Sequence, residues 1–266
     1  MQRDLLKSKV ALITGGGSGI CKGITEKLLR HGCSCVITSR TEAKLAAAAD
    51  ELQQRVPGST CLYFASDVRD PKSLERVVQA TVSKLGGLDI LVCGAAGNFL
   101  APAAKLSANA FSTVVDIDLK GTFNSIKAAF PELKKSGGCV INISATLQYH
   151  GTPFQAHAVS AKAGIDALTR TLAVEWGPLN IRVNCIAPGP IEGTEGFRKL
   201  SPPDNGSKII GPGDFIPLQR FGRTDDIASA CVFLASPLAS FITGVVLVVD
   251  GGASLGGDEP FLSMFR

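Results

Sequence analysis

Short apolar runs alternate along the whole chain with longer segments of helical periodicity, and no other feature of the sequence constrains the fold as strongly. The runs are nearly continuous in apolar residues, which is typical of parallel strands covered on both faces. Regular alternation of such strands with helices predicts an α/β fold, a doubly wound parallel sheet of about seven strands. The predicted strands are residues 9–14, 34–39, 60–65, 90–93, 138–144, 181–187 and 245–249.

The segments between these strands predict helices, and no linker divides the 266 residues, so we expect one domain over residues 1–266. Residues 188–218 are rich in Pro and Gly and predict a long loop or lid rather than a domain boundary. The clearest predicted helices are residues 42–55, 72–85, 107–133 and 164–175.

Composition and charge exclude several classes of protein. No apolar stretch approaches the roughly 20 residues of a membrane span, and the charged N-terminus does not resemble a secretory signal. We therefore expect a soluble, intracellular protein. The 27 Lys and Arg residues against 23 Asp and Glu are spread along the chain, which disfavours a nucleic-acid partner. The eight cysteines form no C-x-x-C pair, so we expect reduced, buried thiols and no metal site.

The first predicted strand runs directly into a glycine-rich turn that opens the first helix. Glycines let the backbone approach a pyrophosphate, which then lies on the N-terminal amides and positive dipole end of the helix. Because the turn lies between the first strand and the first helix, it predicts a dinucleotide site rather than an ordinary turn. The predicted cofactor-binding residues of this turn are Gly15, Gly16, Gly17, Ser18, Gly19 and Ile20.

The end of the second predicted strand bears on the choice of dinucleotide. A NAD-binding fold normally places Asp or Glu there, on the ribose hydroxyls, whereas this chain has Thr38-Ser39-Arg40-Thr41. Arg40 is suited to clamp a 2′-phosphate, which favours NADP, and the alternative is a solvated surface arginine. Asp67, at the end of the third strand, either accepts a hydrogen bond from the adenine amino group or caps a helix.

Motifs in the rest of the chain follow the order of one family. After the glycine-rich turn come Asp67-Val68, residues 94–97, residues 142–144, Lys162, residues 182–184, Pro188-Gly189 and residues 249–252. Over essentially its whole length the sequence resembles the short-chain dehydrogenase/reductase family, which implies a Rossmann-type NADP-binding domain. One departure is Cys21, which stands in place of the last glycine of the family's turn. Because cysteine is small, we expect cofactor binding to survive.

The active-site positions depart further from the family pattern. Family members usually have a Tyr four residues before the Lys, a Ser thirteen residues before that Tyr, and an Asn on an earlier helix. Counted from Lys162, these positions hold Ala158, Ala145 and Asp118. The missing Tyr is the acid that protonates a carbonyl oxygen in ordinary ketone reduction. We therefore expect either an inactive protein or one that reduces a different substrate.

Further segments resemble one group within that family, the 2,4-dienoyl-CoA reductases of peroxisomes. These segments are residues 95–100, 115–118, 121–124, 157–162, 173–178 and 187–196. The resemblance implies an NADPH-dependent enzyme that reduces 2,4-dienoyl-CoA to 3-enoyl-CoA in the β-oxidation of unsaturated fatty acids. It also implies that Lys162 binds the nicotinamide ribose and supplies positive charge, while Asp118 orders a water that donates the proton. The alternative for Asp118 is a helical acid paired with Lys120 or Lys162.

The same resemblance implies the remaining contacts with cofactor and substrate. The residues implied to cover the nicotinamide end of the cofactor are Pro188, Gly189, Pro190, Ile191 and Thr194. The residues implied to contact an acyl-CoA substrate are Arg40, Arg69, Phe99, Ser107, Ala108, Asn109 and Lys199. The guanidinium groups among them are suited to the phosphates of coenzyme A.

Several alternatives stay open from the residues alone. Tyr149 either donates a proton or borders the pocket, and His157 either replaces the missing acid or is structural. Two rival functions are another enoyl- or oxoacyl-thioester reductase of the same fold, and an inactive NADP-binding module. The resemblance implies a homotetramer in peroxisomes. The chain ends in Met264-Phe265-Arg266 rather than a Ser-Lys-Leu signal, so a cytoplasmic location is the alternative.

Overall fold

The computed structural model describes residues 4–200 and 216–255. Its strands are β1 (Val10–Thr14), β2 (Ser34–Ser39), β3 (Cys61–Ala65), β4 (Ile90–Cys93), β5 (Cys139–Ile143), β6 (Arg182–Pro188) and β7 (Val246–Val249). These seven parallel strands form one sheet in the order β3-β2-β1-β4-β5-β6-β7. The predicted doubly wound parallel sheet is thereby confirmed, and every predicted strand is present with its ends displaced by at most one residue.

Helices cover both faces of the sheet. The helices are α1 (Gly19–Arg30), α2 (Glu42–Arg55), α3 (Pro71–Leu85), α4 (Ala108–Val115), α5 (Gly121–Ser136), α6 (Ala156–Trp176), α7 (Glu195–Leu200) and α8 (Thr224–Ala235). Successive strand residues point to opposite faces, so Ile13 joins a core with α1, α2 and α8, whereas Leu12 joins a second core with α3, α5 and α6. Short 3-10 turns lie at Ala103–Lys105, Gly177–Leu179 and Pro237–Ala239.

The strand order reverses between β1 and β4, and this reversal positions the site. From β1 the chain proceeds outward through β2 and β3, then returns to β4 on the other side of β1 and continues to β7. In such open α/β sheets ligands bind in the crevice beyond the carboxyl ends of the strands at this reversal. The loops that follow β1, β4 and β5 all meet there.

Two predicted helices have different bounds in the structure. The predicted helix 107–133 is α4 and α5 joined by a π-helical turn, Asp116–Lys120. The predicted helix 164–175 begins eight residues earlier, at Ala156. The sequence carries no start signal for α6, because its N-cap residue Gln155 makes no side-chain capping bond. Burial of the first turns, rather than a cap, holds this end of α6 in place.

The predicted loop 188–218 contains the short helix α7, and its residues 201–215 lie outside the described part of the chain. Among the described helices, none is both long and apolar enough to cross a membrane. The described residues also contain no group of three or more His, Cys, Asp or Glu side chains placed to hold a metal ion. All eight cysteines are free and buried, as the apolar runs around them predict.

Candidate active site

The glycine-rich turn between β1 and α1 adopts backbone conformations that favour glycine. Gly15 and Gly19 have φ angles of +72° and +53°, in the left-handed region that other residues rarely adopt. A Cβ at Gly16 would lie 2.5 Å from Cγ2 of Ile37 on β2. The turn therefore packs directly on the sheet, and a side chain at residue 16 would push it away.

The first turn of α1 leaves its backbone amides available to a ligand. Ser18, the N-cap residue, makes no side-chain capping bond, and the turn contains no acidic residue. Unpaired amides and the positive end of the helix dipole attract phosphate groups. These residues therefore fit the pyrophosphate of a dinucleotide.

Cys21 packs α1 against the segment that follows β4. A Cβ at Gly94 would lie 2.1 Å from the Cys21 sulfur, so that sulfur occupies the space a side chain at residue 94 would need. Burial raises the pKa of the Cys21 thiol to about 12, so the thiol stays neutral and acts as an apolar packing group. The larger residue at position 21 is accommodated by the missing side chain at position 94.

Gly94→Ala is expected to destabilise the protein by about 2 kcal/mol, because the added methyl group overlaps the buried Cys21 sulfur. Thermal and urea unfolding measure this loss. The double variant with Cys21→Ala, which removes the sulfur, should recover most of it. Equal losses in the single and double variants would contradict this packing.

Arg40, Asp67 and Arg69 lie just beyond the ends of β2 and β3. Arg69 forms a bidentate pair with Asp67, with Nη2 2.6 Å from Oδ2 and Nε 3.0 Å from Oδ1. These hydrogen bonds, helped by the charges of Arg69 and Arg40, hold the pKa of Asp67 below its usual value. Asp67 is thus an ionised acceptor beside two guanidinium groups. It does not cap a helix, because Asp70 caps α3.

Asp118 and Lys162 form a buried ion pair in the crevice beyond β4 and β5. The Lys162 ammonium lies 3.2 Å from Oδ2 of Asp118, and the two side chains are only 11% and 1% exposed. Nζ also donates to the backbone carbonyl of Ile143 at 3.1 Å, and Oδ1 of Asp118 accepts the N–H of Gly97 at 2.7 Å. Charges this far from water persist only when they are paired and hydrogen-bonded.

The π-helical turn orients Asp118. Such turns widen a helix locally and occur often at functional sites. Within this one Lys120 pairs with Asp116 at 2.8 Å, and the hydroxyl of Thr122 donates to the Asp118 carbonyl at 2.6 Å. The sequence left Lys120 and Lys162 as possible partners of Asp118, and in the structure the partner is Lys162.

Alanines occupy the two positions where the family pattern has hydroxyl groups. Ala158 is buried on α6, one turn before Lys162, and Ala145 follows β5. The neighbouring Ser144 hydroxyl donates to the Lys162 carbonyl at 3.3 Å and accepts from Gln148 at 3.1 Å. These hydrogen bonds tie the loop after β5 to α6. With alanine at both positions, the charged pair in this crevice is Asp118–Lys162.

Tyr149 and His157 have environments that differ from those of a typical proton donor. Burial, together with the charge of Asp166, raises the pKa of Tyr149 to about 12, which makes its phenol a weaker acid. His157 is completely buried. Its Nδ1 accepts the N–H of Ala158 at 2.9 Å, and its ring meets the edge of Phe99 with centroids 4.4 Å apart. These contacts favour a structural role for His157.

The segment after β6 lies against the glycine-rich turn. A Cβ at Gly19 would lie 3.8 Å from the side chain of Thr194, and a Cβ at Gly189 would lie 2.5 Å from the Cβ of Asp250. The chain therefore passes between α1 and the end of β7 at close range. The predicted cofactor residues in this segment are Pro188, Gly189, Pro190, Ile191 and Thr194.

The predicted substrate residues beyond Arg40 and Arg69 lie on two separate segments. Phe99, in the loop after β4, is 39% exposed. Ser107 caps α4, where its hydroxyl accepts a backbone N–H at 3.1 Å, and Ala108 and Asn109 form the first turn of that helix. Lys199 is on α7, where it pairs with an acid one turn earlier at 2.8 Å.

Backbone groups hold the ion pair, and sequence reasoning missed them. The Gly97 N–H and the Ile143 carbonyl leave no signal in the sequence. Every residue has a backbone carbonyl, and every residue except proline has a backbone N–H. Thr14 was also missed. Its hydroxyl accepts the N–H groups of Gly94 and Ala95 at 3.0 and 3.2 Å and so ties β1 to the loop after β4.

Comparison with known proteins defines the class to which this fold and site belong. Residues 15–254 match the family model described as enoyl-(acyl carrier protein) reductase. The chain belongs to the short-chain dehydrogenase/reductase family, as its motifs predicted.

Within this family the chain is similar to proteins named peroxisomal 2,4-dienoyl-CoA reductase. It is 52% identical over 255 residues to the one from Danio rerio, which covers 95% of this chain and 83% of that protein. It is 49% identical over 251 residues to the one from Saccharomyces cerevisiae, which covers 94% and 85%. A solved 3-ketoacyl-(acyl-carrier-protein) reductase from Brucella melitensis, complexed with NADH, has a TM-score of 0.84 at 31% identity and covers 94% and 99%. The family and this fold support a nicotinamide dinucleotide as cofactor.

Proposed function

We propose that this chain catalyses the NADPH-dependent reduction of 2,4-dienoyl-CoA to 3-enoyl-CoA in the β-oxidation of unsaturated fatty acids. The observation that carries the proposal is the buried Asp118–Lys162 pair in a site where Ala158 and Ala145 replace the hydroxyl groups. Ketone reduction needs an acid at the carbonyl oxygen, whereas a conjugated thioester needs a stabilised enolate and a proton for carbon. The names of relatives that are 49–52% identical support the same activity here.

Lys162 supplies the positive charge that this reaction needs. NADPH, when bound, supplies the hydride that adds to the far end of the conjugated system and leaves the electron pair as a dienolate on the thioester. The Lys162 ammonium has three donors. One donates to the Ile143 carbonyl, the ammonium is paired with the Asp118 carboxylate, and we assign a remaining donor to the nicotinamide ribose. A charge that is already oriented stabilises the developing enolate without reorganisation.

Asp118 positions the water that returns the proton. Each of its oxygens already holds one partner, Gly97 or Lys162, and an ionised carboxylate has further acceptor sites. We assign those sites to a water that donates a proton to the α carbon of the dienolate, and the hydroxide left behind takes up a proton from bulk solvent, which is the proton that the overall reduction consumes. The π-helical turn and the Gly97 N–H keep the carboxylate in one orientation, so the proton is delivered to one place.

The other predicted contacts complete the acyl-CoA site. The positive charges of Arg40, Arg69 and Lys199 are assigned to the phosphates of coenzyme A. Phe99 and the first turn of α4, with Ser107, Ala108 and Asn109, are assigned to the acyl–pantetheine part, and residues 188–194 to the cover over the nicotinamide end of the cofactor.

Arg40 supports NADPH over NADH, and its removal tests that choice. Arg40→Ala is expected to raise the KM for NADPH by about 10- to 100-fold, because a hydrogen bond to a charged group contributes about 1.5–3 kcal/mol. The KM for NADH should change by less than about twofold, since NADH has no 2′-phosphate. Arg76→Ala on α3 removes a comparably exposed arginine and serves as the control. Equal changes with both cofactors would contradict this role.

One assay separates the proposed function from its two rivals. Oxidation of NADPH is followed by absorbance on adding trans,trans-2,4-hexadienoyl-CoA, with NADH and crotonyl-CoA as parallel controls. Turnover of the dienoyl substrate with NADPH is the expected result. Turnover of crotonyl-CoA in its place would favour a simple enoyl-thioester reductase. NADPH binding without any turnover would favour an inactive module.

A homotetramer in peroxisomes is proposed for the assembly and location. The word "peroxisomal" in the names of the relatives supports the location. Large apolar side chains are exposed on the outer helices, with Phe111 on α4 at 36%, Phe123 on α5 at 45% and Val174 on α6 at 80%. Exposed apolar groups on helices of one side suit burial between subunits. Analytical ultracentrifugation should give a tetramer, and Phe123→Glu should dissociate it. A monomeric wild-type chain would contradict the proposal.

A further inference from the structure

Two loops at the carboxyl edge of the sheet are joined to each other beside the ion pair. The amide of Asn98, after β4, donates to Oε1 of Gln155 at 2.7 Å. The N–H of Ala101 donates to the carbonyl of Phe154 at 2.9 Å. These two hydrogen bonds define a bridge between residues 98–101 and residues 154–155.

The bridge is anchored to both members of the ion pair. Gly97, the residue before Asn98, donates its N–H to Asp118. Gln155 is buried and is the N-cap residue of α6, the helix that carries Lys162. The bridge therefore has a fixed position relative to the atoms proposed to carry the reaction.

Large apolar side chains project from the bridge into solvent. Leu100 is 43% exposed and Phe154 is 54% exposed. Their neighbour Phe99 is partly covered by its edge contact with His157. Apolar surface that is held rigidly in the open at a site for a ligand favours contact with an apolar part of that ligand.

Phe154 is held in an unfavourable backbone conformation. Its φ is +66°, and a bulky residue in the left-handed region is an outlier that costs free energy. Glycine would adopt this conformation without strain. Because phenylalanine is strained at this position and glycine is not, its presence beside a reaction site indicates that the ring has a functional role.

We propose that Leu100 and Phe154 form the wall of the acyl-chain subsite and determine the preference for acyl-chain length. The inference rests on the proposed function, since it assigns a place to the substrate of that reaction. Beyond the two double bonds the substrate is a hydrocarbon chain, which gains free energy in proportion to the apolar surface it buries. A hexadienoyl group has only a methyl group beyond the double bonds and is too short for the wall, whereas a decadienoyl group extends along it.

Phe154→Gly separates a functional from a structural role of the ring. With 2,4-decadienoyl-CoA, kcat/KM is expected to fall about five- to twentyfold, because the chain loses an apolar contact. With 2,4-hexadienoyl-CoA it should change by less than about twofold, and the Kd for NADPH should be unchanged. The temperature of unfolding should stay the same or rise, because glycine relieves the left-handed strain. A side chain needed only for folding would lower that temperature.

Leu100→Ala is the second variant and should reduce the same preference for the longer chain. Phe241→Ala, at an exposed phenylalanine before the amino end of β7, is the matched control and should not alter it. Equal losses with both chain lengths, or no loss with either, would overturn the inference.

Binding measurements keep the acyl-chain inference separate from the reductase activity. Calorimetric titration with decanoyl-CoA and hexanoyl-CoA should show tighter binding of the longer chain by the wild-type protein, and Phe154→Gly should remove that difference. Failure of the wild-type protein to reduce either dienoyl-CoA would reject the proposed function alone. Equal affinity of the wild-type protein for the two saturated acyl-CoAs would reject the wall.

Discussion

Lys162→Met is expected to abolish turnover, with kcat reduced by at least about 100-fold, because the variant loses the charge that stabilises the enolate. It should also weaken NADPH binding by about tenfold, since one hydrogen bond to a charged group is lost. The same change leaves the Asp118 carboxylate buried without its cation. Breaking a buried pair from one side costs about 3–5 kcal/mol, so the free energy of unfolding should fall by about that amount.

Urea unfolding and single-turnover kinetics with 2,4-hexadienoyl-CoA measure these effects of Lys162→Met. Lys120→Met is the matched control, because Lys120 pairs with Asp116 at a largely exposed site and exposed pairs contribute at most about 1 kcal/mol. The double variant Lys162→Met/Asp118→Leu should be more stable than Lys162→Met, since it no longer buries an unpaired charge, yet equally inactive. Wild-type stability in Lys162→Met would contradict the buried pair itself.

Asp118→Asn is expected to lower kcat by about 100- to 10,000-fold, the range over which a positioned acid–base group contributes. The amide oxygen can still accept the Gly97 N–H, so the local backbone is retained, but a neutral amide is a weaker acceptor than the carboxylate and does not hold the proton-donating water in place. NADPH affinity should change by less than about threefold, because Asp118 reaches the cofactor site only through Lys162.

Stopped-flow NADPH oxidation, with NADPH binding measured in parallel, tests Asp118→Asn. Asp116→Asn changes a neighbouring acid of the same π-helical turn, which is 39% exposed, and should leave kcat near the wild-type value. Near-wild-type kcat in Asp118→Asn would remove the proton-delivery role and leave the cofactor assignment standing. Lys162→Met and Asp118→Asn together separate charge stabilisation by Lys162 from proton delivery through Asp118.

The strands were predictable almost to the residue, whereas two helices were not. Buried parallel strands are short apolar runs bounded by turn residues, and that signal is local. The start of α6 carries no capping signal, and tertiary packing stabilises residues 156–163 as a helix by burying one face of it, with His157, Ala158, Ala161 and Lys162. The π-helical turn at Asp116–Lys120 also interrupts a segment whose apolar period predicts one uninterrupted helix.

The sequence named some residues of the candidate site, but it did not predict which of them pair with each other. Asp118 and Lys162 were named by their places in the family motifs, and the glycine-rich turn by its place between β1 and α1. The choice between Lys120 and Lys162 as the partner of Asp118 depended on how the π-helical turn faces α6. The pairing of Asp67 with Arg69, and the hydrogen bonds that join Asn98 to Gln155, had no counterpart in any motif.

Residue types within single segments were enough to predict the parallel sheet, the glycine-rich turn that opens α1, and the absence of hydroxyl groups at residues 145 and 158. Each of these follows from one short segment, where side-chain period, chain flexibility and functional groups are set locally. Folding of the whole chain was needed to bring Asp118 to Lys162 and to join the loops after β4 and β5 beside them. The first contact joins Asp118 and Lys162, which are separated by 44 positions in the chain, and the second joins Asn98 and Gln155, which are separated by 57. The energies of both contacts depend on burial, which no local segment specifies.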